Sequence, residues 1–199
     1  IFSMTDTLVK FGVPLGANEG RGGQIQPKMA YKFRALFYNF GPINGGLELT
    51  QQMLSVTRPA RTQPEAAVHA YVSVSYALGK PSWGPISAVF YDDITNNART
   101  LIDYQLQKQS NITQQTQLAA GINPKFTMAI QNLDGGDVNV LDTWYLEGCW
   151  ITAHQESENN FSTVTGVNTI TCSIRFDNAT QLDGLMPDTV SYVTGSTIG

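Results

Sequence analysis

The sequence predicts a mainly β fold, a single domain with one flanking α-helix. Several runs alternate apolar and polar side chains, the period of a half-buried strand. Clusters of Gly, Pro, Asn and Asp punctuate those runs as turns would. One stretch, from Thr95 to about Gln109, changes instead to helical spacing. The 199 residues, 42% hydrophobic, suffice for one substantial core.

In chain order, residues 1 to 10 read as a short helix or an arm, and residues 12 to 28, with five glycines and two prolines, as loop. Tyr31 to Phe40 sets Phe33, Ala35 and Phe37 on one side, a strand. Gly41-Pro42 and Gly45-Gly46 bracket a turn, and Leu47 to Val56 is a weaker strand stopped by the loop around Pro59 and Pro64. Ala66 to Leu78 shows the clearest alternation, with Val68, Ala70, Val72, Val74 and Tyr76 against His69, Tyr71, Ser73 and Ser75. This predicts one strand with a buried and a polar face.

After a turn at Gly79, Pro81, Gly84 and Pro85, Ile86 to Tyr91 is a strand, and Ala98, Leu101, Ile102, Gln105 and Leu106 recur at helical spacing. Lys125 to Leu133 alternates, and Asp134-Gly135-Gly136-Asp137 gives a turn. Leu141 to His154 and Val167 to Asp177 read as an antiparallel pair, with Ile170, Cys172, Ile174 and Phe176 opposite Thr169, Thr171, Ser173 and Arg175. The tail beyond Gly184, rich in Ser, Thr and Gly, is expected to order only against a partner. These readings divide the chain into an arm with a Gly-rich loop (1–28), a β domain (29–184) and a C-terminal extension (185–199).

Charge excludes several functions. A net charge of −4 and a pI near 5.0 lack the basic stripe that nucleic-acid binding requires. The charged fraction is 14%, against roughly 25% in average chains. Protein–protein interface cores are depleted of charge, so such a chain spends much of its surface on other chains. No apolar stretch approaches spanning length and no signal-type run is present, so the expectation is a cytoplasm-like compartment without a membrane anchor. The numbering starts at Ile1, so an initiator Met or a longer leader is expected to precede it.

The chemistry-bearing residues are sparse. Asp92 and Asp93 sit where a strand gives way to a helix; they read as acceptors for the free N–H groups of the first helical turn. The alternative, a catalytic carboxylate pair, suffers because adjacent strand residues point to opposite faces. Cys149 and Cys172 could face each other in a hairpin, but two reduced core thiols fit a cytoplasmic product better. His69 and His154 read as surface or interface residues. No GxSxG, phosphate-loop, HExxH or CxxC pattern is present. The triplets at Asn111, Asn160 and Asn178 match the glycosylation pattern by chance composition. The expectation is therefore no enzyme, no catalytic residue, no cofactor and no metal.

The order of "YKFRALFYNF", "LSVTRP", "VSVSYALGKPSWGPISAVFYDD", "LIDYQ", "WYLEGCWIT" and "NTITCSIRFD" resembles the tail tube proteins of contractile-tailed bacteriophages, a family related to the tubes of secretion systems and injection particles. The resemblance runs from Ala30 to Asp177, and each motif is weak by itself; order and spacing carry it. It implies a β-sandwich or barrel-like tube subunit, six of which form a ring, with rings stacked head to tail inside a sheath. Its implied partners are further copies of itself as a homo-hexamer, the tail sheath protein, and the baseplate and tail-terminator proteins. Phage DNA would pass through without specific binding, in a virion assembled in the host cytoplasm. Six copies at −4 each carry −24 formal charges, which disfavours phosphate retention.

For contacts between subunits or rings the candidates are Gly41, Pro42, Ile43, Asn44, Gly45 and Gly46, which lie where the family has an extended loop, together with Arg21, Met186 and Tyr192. Polar faces offered as lumen linings are Ser73 and Ser75, and Thr169, Thr171 and Ser173; solvent or a neighbouring subunit is the alternative environment. The rival functions are a secretion-system or injection-particle tube, a baseplate tube initiator, and a secreted β-sandwich binding module.

Overall fold

The computed structural model describes residues 28–117, 123–134, 139–162 and 165–183. The chain divides into two units, Ile1–Tyr31 and Lys32–Gly199, and the fold below is that of the second. In order, it comprises β1 (Phe33–Phe40), β2 (Ile43–Glu48), a 3-10 turn (Thr50–Gln52), β3 (Met53–Val56), β4 (Arg61–Thr62), β5 (Glu65–His69), β6 (Val74–Leu78), β7 (Ser82–Trp83) and β8 (Ile86–Tyr91). Then follow α1 (Asn97–Gln109), β9 (Ser110–Asn111), β10 (Thr116–Gln117), β11 (Phe126–Leu133), β12 (Val140–Glu156), β13 (Thr169–Arg175) and β14 (Asn178–Asp183). The class is mainly β, with antiparallel pairing throughout.

The long strand β12 joins two sheets. Its first half lies between β11 and β14, in the order β2-β1-β11-β12-β14, and its second half pairs β13, followed by β8 and β3. A bulge separates the halves: Leu146 pairs Met128 and Cys149 pairs Phe126, with Gly148 between them at φ +66. The Asp177 carboxylate occupies the space a side chain at Gly148 would need. Lys125 forms an ion pair with that carboxylate, and the Asp177 N–H donates to the Glu147 carbonyl at 3.0 Å. Glycine is required here both by the left-handed backbone and by the carboxylate.

Alternation places Phe37, Met128, Ile130 and Leu146 of the first sheet against Ile86, Ala88, Phe90, Ile170, Cys172 and Ile174 of the second. A bulge at Asn39, φ 59, turns Phe40 inward beside Phe37, their rings 5.0 Å apart. Phe126 meets Phe40 edge-on at 4.9 Å. Such offset and edge contacts add to the area these aromatics remove from water.

Helix α1 covers the open edge of the second half of β12. Asp93 starts it: Oδ1 accepts the Asn97 N–H at 3.1 Å, and Oδ2 accepts the Thr95 hydroxyl. Ala98, Leu101, Ile102 and Gln105 are buried, as the spacing predicts. Gln105 accepts from Gly41 N–H at 2.9 Å and donates to the Pro124 carbonyl at 2.7 Å. Gln109, one turn on, bonds Ile151. Two glutamines thus tie the helix to the ends of β1 and β11 and to the interior of β12.

Three expectations are corrected. Leu47 to Val56 is not one strand: Leu49 and the 3-10 turn break it, carrying the chain from β2 in one sheet to β3 in the other. Ala66 to Leu78 is not one strand with a buried face but the exposed hairpin β5–β6. The two-residue turn inverts the phase, so Val68 lies on one face of the hairpin and Val74 and Tyr76 on the other, although in sequence they alternate as one strand would. The turn expected over Gly41 to Gly46 is only Gly41-Pro42, because Ile43 onward pairs with β1. Both cysteines lie in the core, as expected, and the disfavoured facing pair is not formed: Cys149 pairs Phe126, whereas Cys172 pairs His154 and Ala88. The strand β14 was not anticipated; of its residues only Ala179 is buried.

Candidate assembly surfaces

The most distinctive surface is the arm between β3 and β8. Met53 pairs Phe90, Val56 pairs Ala88, Arg61 pairs Trp83, Glu65 pairs Leu78 and His69 pairs Val74, so one nearly constant register runs from sheet to tip. Thr57 to Ser87, Gly84 to Ala60 and Gly79 to Pro64 backbone bonds bridge the gaps between these short ladders. At about 3.3 Å per residue the strand from Thr57 to Tyr71 has a contour of roughly 50 Å. Its one aromatic anchor is Trp83, whose ring lies 5.8 Å from that of Phe176.

Every residue of β4, β5 and β6 is exposed. Ala70 N–H bonds Ser73 carbonyl at 2.7 Å, which leaves Tyr71 and Val72 at the tip, 104% and 89% exposed. The register puts Val74, Tyr76 and Leu78 on one side with His69, Ala67 and Glu65, and Ser73 and Ser75 on the other with Ala70 and Val68. The expected grouping of Val68 with Val74 and Tyr76 is therefore corrected: across the turn, even-numbered residues of one strand share a face with odd-numbered residues of the other. A ribbon of this kind is at best marginally stable by itself in water.

A second surface is the outer face of the second sheet. Thr171 and Ser173 stand across from Gln155 and Ala153 on one side, and from Val89 and Ser87 on the other; Thr169 pairs Tyr91. Arg175, beside Trp150, is the charged residue at its border. The face is hydroxyl-rich and carries no carboxylate among these residues, so the net negative charge resides elsewhere. The structure groups Thr169, Thr171 and Ser173 together and sets Ser73 and Ser75 apart on the arm.

The remaining candidates scatter. Gly41, φ +60, is buried under α1, where an added Cβ would stand 3.1 Å from the Leu101 carbonyl oxygen. Pro42, Gly45 and Gly46 are exposed, and Ile43 to Gly46 belong to the edge strand β2. They form no extended loop; the extended excursion between early strands is the β4–β7 arm. Arg21, Met186 and Tyr192 lie outside the described residues, as do the 185–199 extension and nearly all of the 1–28 segment.

Little here resembles an active site. Asp93 caps the helix with its carboxylate, whereas Asp92, expected to share that role, is held through its backbone N–H, which donates to the Asn168 carbonyl at 3.0 Å; the adjacent aspartates do not act as a pair. Among the described residues, no group of three or more His, Cys, Asp or Glu could hold a metal. Burial pushes both thiols up to about 12. No helix among the described residues is long and apolar enough to cross a membrane.

No protein-family model matches the chain, and no curated protein matches it. Solved structures do. A chain of the six-fold symmetrised anti-feeding prophage baseplate matches with a TM-score of 0.63 at 15% identity, covering 80% of this chain and 98% of that one. A chain of the anti-feeding prophage tube-terminating cap gives 0.62 at 12%, covering 82% and 96%. A chain of the sheath-tube complex of the PVC extracellular contractile injection system, in its extended state, gives 0.54 at 11%, covering 92% and 99%. This chain shares its fold with these chains of the anti-feeding prophage and of a contractile injection system. The shared fold accounts for nearly the whole of each neighbour and at least four fifths of this chain.

Proposed function

We propose that this chain is a non-enzymatic structural subunit whose copies close into six-membered rings and stack into the inner tube of a contractile phage tail. The observation that carries the reading is the arm: beyond its Trp83 anchor the ribbon carries exposed Tyr71, Val72, Tyr76 and Leu78. Exposed apolar surface of this extent marks an interaction site. A contact between different patches on identical chains generates rings or open polymers. The tail-tube fold supplies the architecture in which such contacts operate.

The outer face of the second sheet suits a lumen. Its hydroxyls and amides hydrate well, and apart from Arg175 at the border it offers DNA no cation to hold phosphate. The sheath would wrap the outside, with baseplate and terminator proteins at the ends and assembly in the host cytoplasm. Exposed Pro42 and the β2 edge remain candidates for subunit contacts.

A second reading, the tube of a contractile injection particle, is favoured by one observation: the three structures above belong to such particles. Nuclease-protected DNA within purified particles separates the two, since it accompanies a phage tail and not a protein-delivering tube. A secreted binder stapled by Cys149 and Cys172 does not suit their separate pairings. High-speed sedimentation of the pure chain, alone and with baseplate complexes, tests the common core of both readings. Pelleting polymer supports it; a species at monomer mass under every condition refutes it.

A further inference from the structure

The ladder of the arm is thin where it leaves the second sheet. Pro59 stands in one strand and Pro85 in the other, and neither has an N–H to give. The backbone bonds that bracket this point are Thr57 N–H to the Ser87 carbonyl and Gly84 N–H to the Ala60 carbonyl, each 2.9 Å. A two-stranded ribbon is marginal even with all its rungs, so the direction of this one depends on side chains at its root. Trp83 supplies one contact, its ring 5.8 Å from that of buried Phe176, just beyond β13. A single ring contact leaves the ribbon free to swing about it.

Arg58, between those two rungs, supplies the other contact, and it reaches the first sheet. Its Nη2 donates to Asn132 Oδ1 at 3.2 Å, near the end of β11. Asn132 is 3% exposed, and Asp142, its register partner on β12, 5%. The orientation of the Asn132 amide follows from its neighbours. The Asp142 carboxylate only accepts, so Asn132 turns Nδ2 to Asp142 Oδ1 and keeps Oδ1 for Arg58, a group that only donates. Gln181 of β14 holds the second oxygen, its Nε2 donating to Asp142 Oδ2 at 3.4 Å. Donation and acceptance by one amide polarise each other, so the buried carboxylate strengthens the grip on Arg58 through Asn132. Pro59 in turn keeps the Arg58 backbone extended.

We propose that Arg58 is a positioning residue: its grip on Asn132, together with the Trp83 contact, fixes the direction in which the arm leaves the body of the free chain. Two contacts, one on each sheet, define a direction where one does not. A hydrogen bond from a charged donor shifts the balance between a held and a swinging arm by about tenfold. The latch rests on the tube reading only for its purpose, since an arm directed before assembly costs less to immobilise in a polymer. The exposed outer ladder of β5 and β6 frays without altering the direction set at the root.

The test uses the unassembled full chain with nitroxides at Thr62→Cys, in the arm, and Thr180→Cys, an exposed position of β14; the native thiols are buried and do not label. Double electron–electron resonance is expected to give one narrow distance in this background. Arg58→Met and Asn132→Leu each broaden it, and because they remove the same bond, both together broaden it no further than either alone. Arg58 is exposed, so Arg58→Met leaves the urea midpoint unchanged and decides the matter even where Asn132→Leu fails to fold. A broad distribution in the parent background, or a narrow one that survives Arg58→Met, overturns the latch. In sedimentation Arg58→Met chains are expected to polymerise about tenfold more slowly. Polymerisation at the parent rate overturns the link between latch and assembly. Parent chains that never pellet, with the distances as expected, overturn the tube reading and leave the latch standing.

Discussion

Gln109 completes the open edge of β12 at Ile151 with both ends of its carboxamide, Nε2 donating to the Ile151 carbonyl at 2.8 Å and Oε1 accepting its N–H at 2.9 Å. A side chain thereby substitutes for a neighbouring strand, and an edge that could template aggregation is closed. Replacing Gln109 by Met removes both bonds at similar volume and costs about 2 kcal/mol. Gln105→Leu strands the Gly41 N–H and the Pro124 carbonyl beneath the helix and costs about 2 to 4 kcal/mol. Urea midpoints of the unassembled chain measure both; midpoints unchanged from the parent would remove the glutamines from the account.

Gly148→Ala forces a Cβ onto the Asp177 carboxylate in a left-handed backbone position. The expected loss is about 2 kcal/mol or more. Asp177→Ala in the same chain relieves the collision but not the backbone strain, so the double variant recovers part of the loss. Additive losses would show that the bulge relaxes by another route.

The thiols provide a pH signature. Burial raises Cys149 and Cys172 from 9.0 to about 12, so in this range the folded chain holds protons that the unfolded chain releases. Their contribution is complete below pH 9.0 and is lost as pH rises toward 12. The slope approaches about 1.4 kcal/mol per pH unit for each thiol. Cys149→Ala with Cys172→Ala flattens that part of the profile, and in the parent a maleimide labels neither thiol until denaturant is added. Rapid labelling of the native chain would contradict their burial.

Replacing Glu65–Leu78 by Asn-Gly rejoins Pro64 and Gly79, already hydrogen-bonded at 2.7 Å, with a turn suited to a hairpin. Because all of β5 and β6 is exposed, stability changes by no more than about 0.5 kcal/mol. Polymer formation is lost. Normal pelleting by the shortened chain would sever the link between arm and assembly.

The strands that build the core were legible because each buries one face: Phe33, Ala35 and Phe37, or Ile170, Cys172 and Ile174, alternate with polar neighbours. Helix α1 was legible for the analogous reason, and Asp93 marked its start. The arm was misread because Val68 to Tyr76 alternate as a buried strand does, while nothing local reveals a turn at Tyr71-Val72, which lacks Gly, Asn and Pro. β14 escaped because its order comes from pairing with β12, a tertiary effect that leaves little trace in Asn178–Asp183. The paired carboxamides of Gln105 and Gln109 gave no signal beyond helical spacing, since their partners are backbone groups distant in sequence.

Electron cryo-microscopy of the purified chain, after incubation with and without baseplate complexes, tests the tube assignment most directly. The account predicts hollow, six-fold polymers of uniform width. Fields of dispersed single chains at every concentration, or solid fibres without a channel, would contradict it.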